Sequence, residues 1–330
     1  MAMTILVSQV GGPDVMRLVD LDPGAPGPGQ IRIRQKAIGV NFGDVHKRRG
    51  TAPPHAMAAI PFPFTPGLEA AGVVEAVGSG VTRFSPGDRV CYAIASMLGG
   101  YAEERLFDAD KAYHLPEGVS DIDAAGLLYK GITVHGLIRT CYRVKAGEIV
   151  LLHAAAGGVG SVFTRWAKHL GAVVIGTVSS EAKAQRARDQ GCDHVIITGQ
   201  QDFVARTLEI TGGRGVDVVY DSIGAEVFAR SFDCLRRYGM MVSFGQSAGA
   251  MPPIDPVMLQ HDGHYLTKFS GSTYNADVAE YSQRVEAVLA AIDQGILSGL
   301  AHNVYPLAEA VRAHTDFEAR GTSGSIVMVT

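Results

Sequence analysis

The chain is poor in the residues that staple small secreted proteins together: it has 4 cysteines in 330 residues, Cys91, Cys141, Cys192 and Cys234. They lie far apart with no CxxC pair, which argues against a disulfide framework or a structural zinc site and fits a reducing compartment. Charge of one sign is scarce as well. Twenty-nine basic and 33 acidic residues leave a net charge of −4, so no broad positive field is present to recruit nucleic acid or an anionic membrane. The one basic cluster, His46-Lys47-Arg48-Arg49, reads as a solvated face, with a phosphate contact as the alternative. No run approaches the roughly 18 apolar residues of a membrane span. The N-terminal MAMTILVSQVGGPDV lacks the basic patch, long apolar core and cleavage site of a signal peptide. Together these absences predict a cytoplasmic protein with neither membrane nor nucleic acid as partner.

What remains is an ordinary globular composition, 47% apolar and 19% charged, in a chain long enough for two domains with real cores. The first 120 or so residues carry short β-branched runs punctuated by Gly and Pro, such as Ile31–Val40, Ala70–Gly78 and the run from Asp88. That texture predicts a compact β-rich domain. From about Asp121 strands and helices alternate. Apolar runs at Ile149–His153, Val173–Val178, His194–Thr198, Val216–Asp221 and Met240–Phe244 predict a parallel, doubly wound α/β sheet. A last helix, Leu307–Ala319, and a short strand, Ser325–Val329, follow.

Between the first of these strands and its helix lies LLHAAAGGVGSVFTRWAKHLGA, residues 151 to 172. So little side chain at a strand-to-helix turn lets something large and polar approach the backbone. Against the dinucleotide fingerprint GxGxxG the alignment is Ala155-Ala156-Gly157-Gly158-Val159-Gly160, with alanine at the first glycine position. Gly157 would admit a pyrophosphate to the backbone and Gly160 would let the helix pack against the strand. The helix, starting near Gly158, would offer its N–H groups to the phosphates. A packing turn with no ligand is the plainer alternative. The next strand ends Gly176-Thr177-Val178-Ser179-Ser180 with no acid to bind a ribose 2′-OH. Ser180 reads as the helix cap and Glu181 as a first-turn acid. Ser179 and Lys183 would then meet a 2′-phosphate, which favours NADP(H); a solvated helix lysine is the alternative for Lys183.

At this point the chain resembles a known family. HAAAGGVG, AIGVNFGDVHKRRG, PGLEAAGVVEAVGSGV, KGITVHGL, VVYDSIG and MVSFGQSAGA follow one another in order. They are similar to the zinc-free quinone oxidoreductases, the ζ-crystallin-like branch of the medium-chain dehydrogenase/reductase superfamily. The resemblance covers nearly the whole chain, including the closing FEARGTSGSIVM. It implies a GroES-like catalytic domain over residues 1–125, a Rossmann NADP(H)-binding domain over 126–272 and a C-terminal return over 273–330 that completes the first. It also implies a cofactor cleft between domains and a homodimer pairing Rossmann sheets along the edge strand Tyr265–Gly271. Zinc-dependent relatives carry a cysteine where this chain has Asn41 and a histidine where it has Leu68. Neither Asn nor Leu would hold Zn²⁺, so a metal-free site is expected.

The resemblance places Phe42, Asp44 and Thr133 close to the cofactor and turns Asn41 toward the substrate, where its amide could donate to a carbonyl oxygen or merely brace the loop. Asp44 would anchor that loop or contact the nicotinamide ribose. Lys130 could favour an enolate or quinol anion, or bind backbone or phosphate instead. Tyr92 would line the cleft unless it packs half-buried. Phe244, Gly245 and Gln246 end the fifth Rossmann strand, and their backbone would bond the nicotinamide carboxamide. Arg320 matches a cofactor-contacting arginine, or else is a helix C-terminal cation. Bacterial relatives often have tyrosine where this chain has Thr198, His46 and Ala52. The change could weaken cofactor affinity and open a smaller, more polar mouth, with His46 a candidate proton donor near neutral pH.

The expected activity is NADPH-dependent reduction of small quinones. Reduction of an activated alkene in an enone or enal needs the same nicotinamide exposure and stands as the alternative. A non-catalytic role, in RNA binding or as a structural protein, is the alternative from another class, and the acidic balance argues against RNA.

Overall fold

In the computed structural model, residues 1–330 are described except 53–56, 58–59, 95–96, 261 and 320, with His302 by its backbone alone. The chain divides into two compact units, one of residues 1–130 and 285–330 and the other of residues 131–284.

The N-terminal part of the first unit comprises β1 (Ala2–Val7), β2 (Met16–Leu21), β3 (Gln30–Val40), α1 (Phe42–Arg49), β4 (Glu69–Val77), β5 (Arg89–Ala93), β6 (Glu104–Asp108) and β7 (Tyr113–His114). Helix α2 (Asp121–His135) carries the chain out of it. The second unit then lays down β8 (Ile149–Leu152), α3 (Gly158–His169), β9 (Val173–Val178), α4 (Glu181–Asp189), β10 (His194–Ile197), α5 (Phe203–Ile210), β11 (Val216–Asp221), β12 (Leu235–Ser243) and β13 (Tyr265–Lys268). The chain returns through α6 (Val278–Asp293) to β14 (Ala301–Pro306), α7 (Ala310–Glu318) and β15 (Ser325–Val329).

In the first unit the sheet runs β14-β15-β3-β4-β5-β7, with β6 also paired to β3 and β1-β2 forming a separate hairpin. Strand β15, from the far end of the chain, pairs antiparallel with β3 from Ile326 opposite Val40 to Val329 opposite Ala37. The return is therefore part of this sheet. Its core gathers Ile31, Ile33 and Ile38 of β3 with Val74, Val90, Phe107 and Ile326. Ile31 and Ile33 alternate with more exposed arginines, as expected of a strand with one face toward the core.

In the second unit six parallel strands run in the order β10-β9-β8-β11-β12-β13. All six residues of β11 are buried, the pattern of a central parallel strand covered on both faces. The expected Met240–Phe244 run is longer in the structure, because the strand already begins at Leu235, which pairs with Val216 of β11 before a register shift brings Met240 opposite Val218. The chain steps outward from β8 in one direction to β9 and in the other to β11. That reversal is the switch point of a doubly wound sheet, outside whose strand ends ligands bind.

Candidate active site

The glycine-rich loop leaves β8 at this switch point. Gly157 is the extended residue before α3, and Val162, Phe163, Trp166 and Ala167 bury the helix's apolar face. A Cβ on Gly160 would collide with the Ala154 carbonyl oxygen and lie 2.6 Å from that of Ala155. Only glycine lets the helix start so close to the strand end. At Gly157 the sole neighbour is the Ala154 oxygen at 3.2 Å, so the loop keeps room on its outer side. Gly158 and Val159 open the first turn, whose free N–H groups suit an anion. Ala154 itself holds φ +56°, a left-handed conformation that non-glycine residues adopt at some strain.

At the tip of β9 the Ser180 hydroxyl accepts from the Lys183 backbone N–H at 3.5 Å, capping α4 as expected. Lys183 Nζ lies 3.4 Å from Ser179 Oγ, with Ser179 exposed and Lys183 half-buried. A cation and a hydroxyl thus stand side by side where a dinucleotide with an unmodified ribose would want a carboxylate. Thr198 donates its hydroxyl to the Val178 carbonyl at 3.3 Å, turning back onto this strand end.

At the end of β12 the structure narrows which backbone groups can serve. The N–H groups of Phe244 and Gly245 both donate to the Asp221 carbonyl, at 2.8 and 3.3 Å, so those two donors are taken within the loop. The carbonyls and the exposed Gln246 remain to meet a carboxamide. Thr133 is half-buried on α2. Arg320 lies outside the described residues.

The first unit brings Asn41 and Lys130 together, 89 positions apart in the chain. Lys130 Nζ donates to Asn41 Oδ1 at 3.1 Å and to Glu69 Oε1 at 3.3 Å, while Asn41 Nδ2 donates to the same Glu69 oxygen at 2.8 Å. Asn41 and Lys130 are each 5% exposed and Glu69 is 0% exposed. Asp44 is hydrogen-bonded into the loop. Its carboxylate accepts from the backbone N–H of Asn41 at 2.9 Å and of Gly67 at 3.1 Å, tying the start of α1 to the turn before β4. Burial pushes its carboxyl up to about 6, against the lowering pull of those N–H groups.

Three expectations are corrected. Tyr92 lines no cleft: it is 1% exposed, stacked on Phe107, with its hydroxyl donating to Gln35 and accepting from Arg105 at 3.1 Å. As the fourth residue of β5 it points into the core, an orientation that strand alternation decides. Arg48 is no solvated cation either. It is 0% exposed, ion-paired with Glu318 and with Nε donating to His314 Nδ1 at 3.4 Å. His46 is exposed and bonded to Thr51 Oγ1 at 2.9 Å, but partial burial and the neighbouring Arg49 hold its imidazole below the usual range. That weakens it as a proton donor near neutral pH. Phe42, 42% exposed, packs on Phe317 with ring centroids 4.5 Å apart, leaving an aromatic face open beside Asn41.

Comparison with known proteins agrees with this layout. Residues 27–117 match the alcohol dehydrogenase GroES-like domain and residues 158–290 the zinc-binding dehydrogenase domain. The chain is 42% identical to quinone oxidoreductase 1 of Escherichia coli (strain K12) over 332 residues, covering 100% of both. It is also 42% identical to a 2-haloacrylate reductase of a Burkholderia species, covering 100% of this chain and 99% of that one. The crystal structure of Escherichia coli quinone oxidoreductase complexed with NADPH superposes with a TM-score of 0.92 at 41% identity, covering 100% of both chains. The chain belongs to the quinone oxidoreductases of the medium-chain dehydrogenase/reductase superfamily.

Within a superfamily whose second domain is described as zinc-binding, the donor set here does not suit zinc. Leu68 is aliphatic and buried, and the Asn41 and Glu69 oxygens already face the Lys130 ammonium, whose charge would repel a cation. Among the described residues no group of three or more His, Cys, Asp or Glu side chains could hold a metal. Sequence reading missed Glu69, although it stood inside a quoted motif as the one acid opening an apolar strand. A carboxylate buried there demands a cationic partner. Tyr101 and His314, which join the Asp44 anchor to α7, carried no local signal at all.

Proposed function

We propose that this protein is an NADPH-dependent quinone reductase. The observation that carries the reading is the match along the whole chain, at 42% identity, to a quinone oxidoreductase. The geometry of both units supports it. The inserted unit holds the cofactor: the turn at Gly157–Gly160 takes the pyrophosphate, Ser179 and Lys183 take the 2′-phosphate, and Phe244–Gln246 hold the carboxamide through carbonyls and the Gln246 amide. Thr133 and Arg320 are proposed as further cofactor contacts. The discontinuous unit supplies the substrate chemistry through Asn41, Lys130 and the open face of Phe42.

When bound, NADPH would supply the hydride; every other requirement falls on the chain. A quinone accepting hydride gathers negative charge on its oxygen before a proton arrives from water. The Asn41 amide N–H and the buried Lys130 ammonium favour that charge, and in a site of low water content such donors act strongly. Neither group needs a metal, in keeping with the residues at 41 and 68. Asp44 holds the Asn41 backbone in place by its hydrogen bond.

A second reading has a specific observation behind it, the equal identity to a 2-haloacrylate reductase. Reduction of a carbon–carbon double bond conjugated to a carbonyl or carboxylate would use the same donors at the same oxygen. NADPH oxidation, followed by its absorbance, with a panel of benzoquinones and naphthoquinones and a panel of enones and haloacrylates separates the two. Turnover of quinones supports the first reading; turnover of alkenes alone overturns it. We further propose a cytoplasmic homodimer joined along β13, whose outer edge pairs with no strand among the described residues. No helix among them is long and apolar enough to cross a membrane.

A further inference from the structure

The network around Asn41 contains one residue with no role in the reaction as outlined above. We infer that Glu69 is a positioning residue for quinone reduction: it fixes which way the Asn41 amide faces, so that one amide proton is kept for the substrate oxygen. The inference rests on the proposed quinone reductase activity. Asn41 lies between two neighbours of opposite character. Lys130, which can only donate, faces Oδ1 at 3.1 Å; the Glu69 carboxylate, which can only accept, faces Nδ2 at 2.8 Å. A flipped amide would set NH₂ against ammonium and oxygen against carboxylate, so the orientation is decided by charge. Nδ2 then gives one proton to Glu69 and has a second to give.

Glu69 is itself held rigidly. Its other oxygen accepts from the Tyr129 backbone N–H at 2.7 Å, next to Lys130 on α2. One carboxylate thus binds the opening of β4, the first turn of α1 through Asn41, and α2. The β3 backbone makes space for it: a Cβ on Gly39 would collide with Glu69 Oε1 and the Ala125 carbonyl. Burial at 0% exposure means that the carboxylate depends on Lys130 for its counter-charge. Remove that charge and the ammonium, the amide and the substrate donor all lose their fixed geometry.

Glu69→Gln tests this in the full chain. The expected result is a fall in kcat with a quinone of about tenfold or more, since small misplacements of reacting groups carry such penalties. The KM for quinone and the Kd for NADPH should stay within about twofold, because an interaction made chiefly in the transition state is the one lost. Unchanged kcat in this variant overturns the inference and leaves Glu69 a structural ion-pair partner. The ¹⁵N spectrum of the Asn41 side-chain amide gives a readout that needs no turnover. One proton protected from exchange in the wild type and released in Glu69→Gln supports orientation by Glu69; no difference overturns it. If the wild type reduces no quinone, the activity reading fails by itself, and the amide spectrum still decides the orientation.

Discussion

Tyr101 and His314 stand 213 positions apart in the chain, and the phenol oxygen meets imidazole Nε2 at 2.8 Å in a fully buried contact. The donors run in one direction. Arg48 Nε gives to His314 Nδ1, so Nε2 carries the ring proton and gives to Tyr101, whose hydroxyl gives to Asp44 Oδ2 at 3.3 Å. The C-terminal helix α7 is thereby hydrogen-bonded, through one tyrosine, to the carboxylate that holds Asn41. The chain of donors works only while His314 is neutral, and burial keeps it so by driving its imidazole down to about 3.

Acid stability follows from that histidine and from His153, whose ring nitrogens sit against Thr177 Oγ1 at 3.0 Å and Ser231 Oγ at 2.9 Å and whose imidazole is also pushed down to about 3 by burial. Both are depressed on folding. Their contribution is fully present above pH 6.5 and is lost as pH falls toward 3, by up to about 1.4 kcal/mol per pH unit for each group. Asp44 has the opposite sign. Raised to about 6, it contributes stability below its unfolded value of 3.8 that is lost as pH rises through 6, offsetting one histidine between those limits. Urea midpoints should therefore decline from pH 6.5 to 4, and His153→Gln should flatten the decline. An equal slope in the variant contradicts the assignment.

Lys183→Ala should lower kcat/KM for NADPH by roughly 10- to 100-fold, the worth of a charge-assisted hydrogen bond to phosphate. NADH, lacking that phosphate, should be used as before. Initial rates with both cofactors check this, and a parallel loss with NADH would remove Lys183 from the 2′-phosphate.

Gly160→Ala forces backbone to move, because the obstacles are two carbonyl oxygens rather than flexible side chains. Destabilisation of about 1–3 kcal/mol is expected, and the rise in Tm on adding NADPH should shrink or vanish. Thermal melts with and without cofactor measure both effects.

Arg48→Met leaves Glu318, among the described residues, with only the more exposed Arg49 as an ion-pair partner and removes the Arg48 donor from the Gly11 carbonyl. Breaking a buried pair from one side destabilises by about 3–5 kcal/mol. Chemical denaturation should show this, whereas a surface arginine would give almost no change.

The local chemistry of the chain was enough to determine the glycine turn after β8, the serine cap and lysine at the tip of β9, the parallel run of strands and the unsuitability of residues 41 and 68 for zinc. Each depends on neighbours within a few residues, where periodicity, capping and side-chain size act directly. Tertiary structure alone decided the rest. Strand register turned Tyr92 into the core, and the pairing of β15 with β3 brought the C-terminal return onto the first sheet. Packing drew Arg48 out of an apparent basic face and gave Asn41 its two partners from β4 and α2. Those contacts join residues up to some three hundred positions apart, and a buried charge selects its partner only after the fold has excluded water.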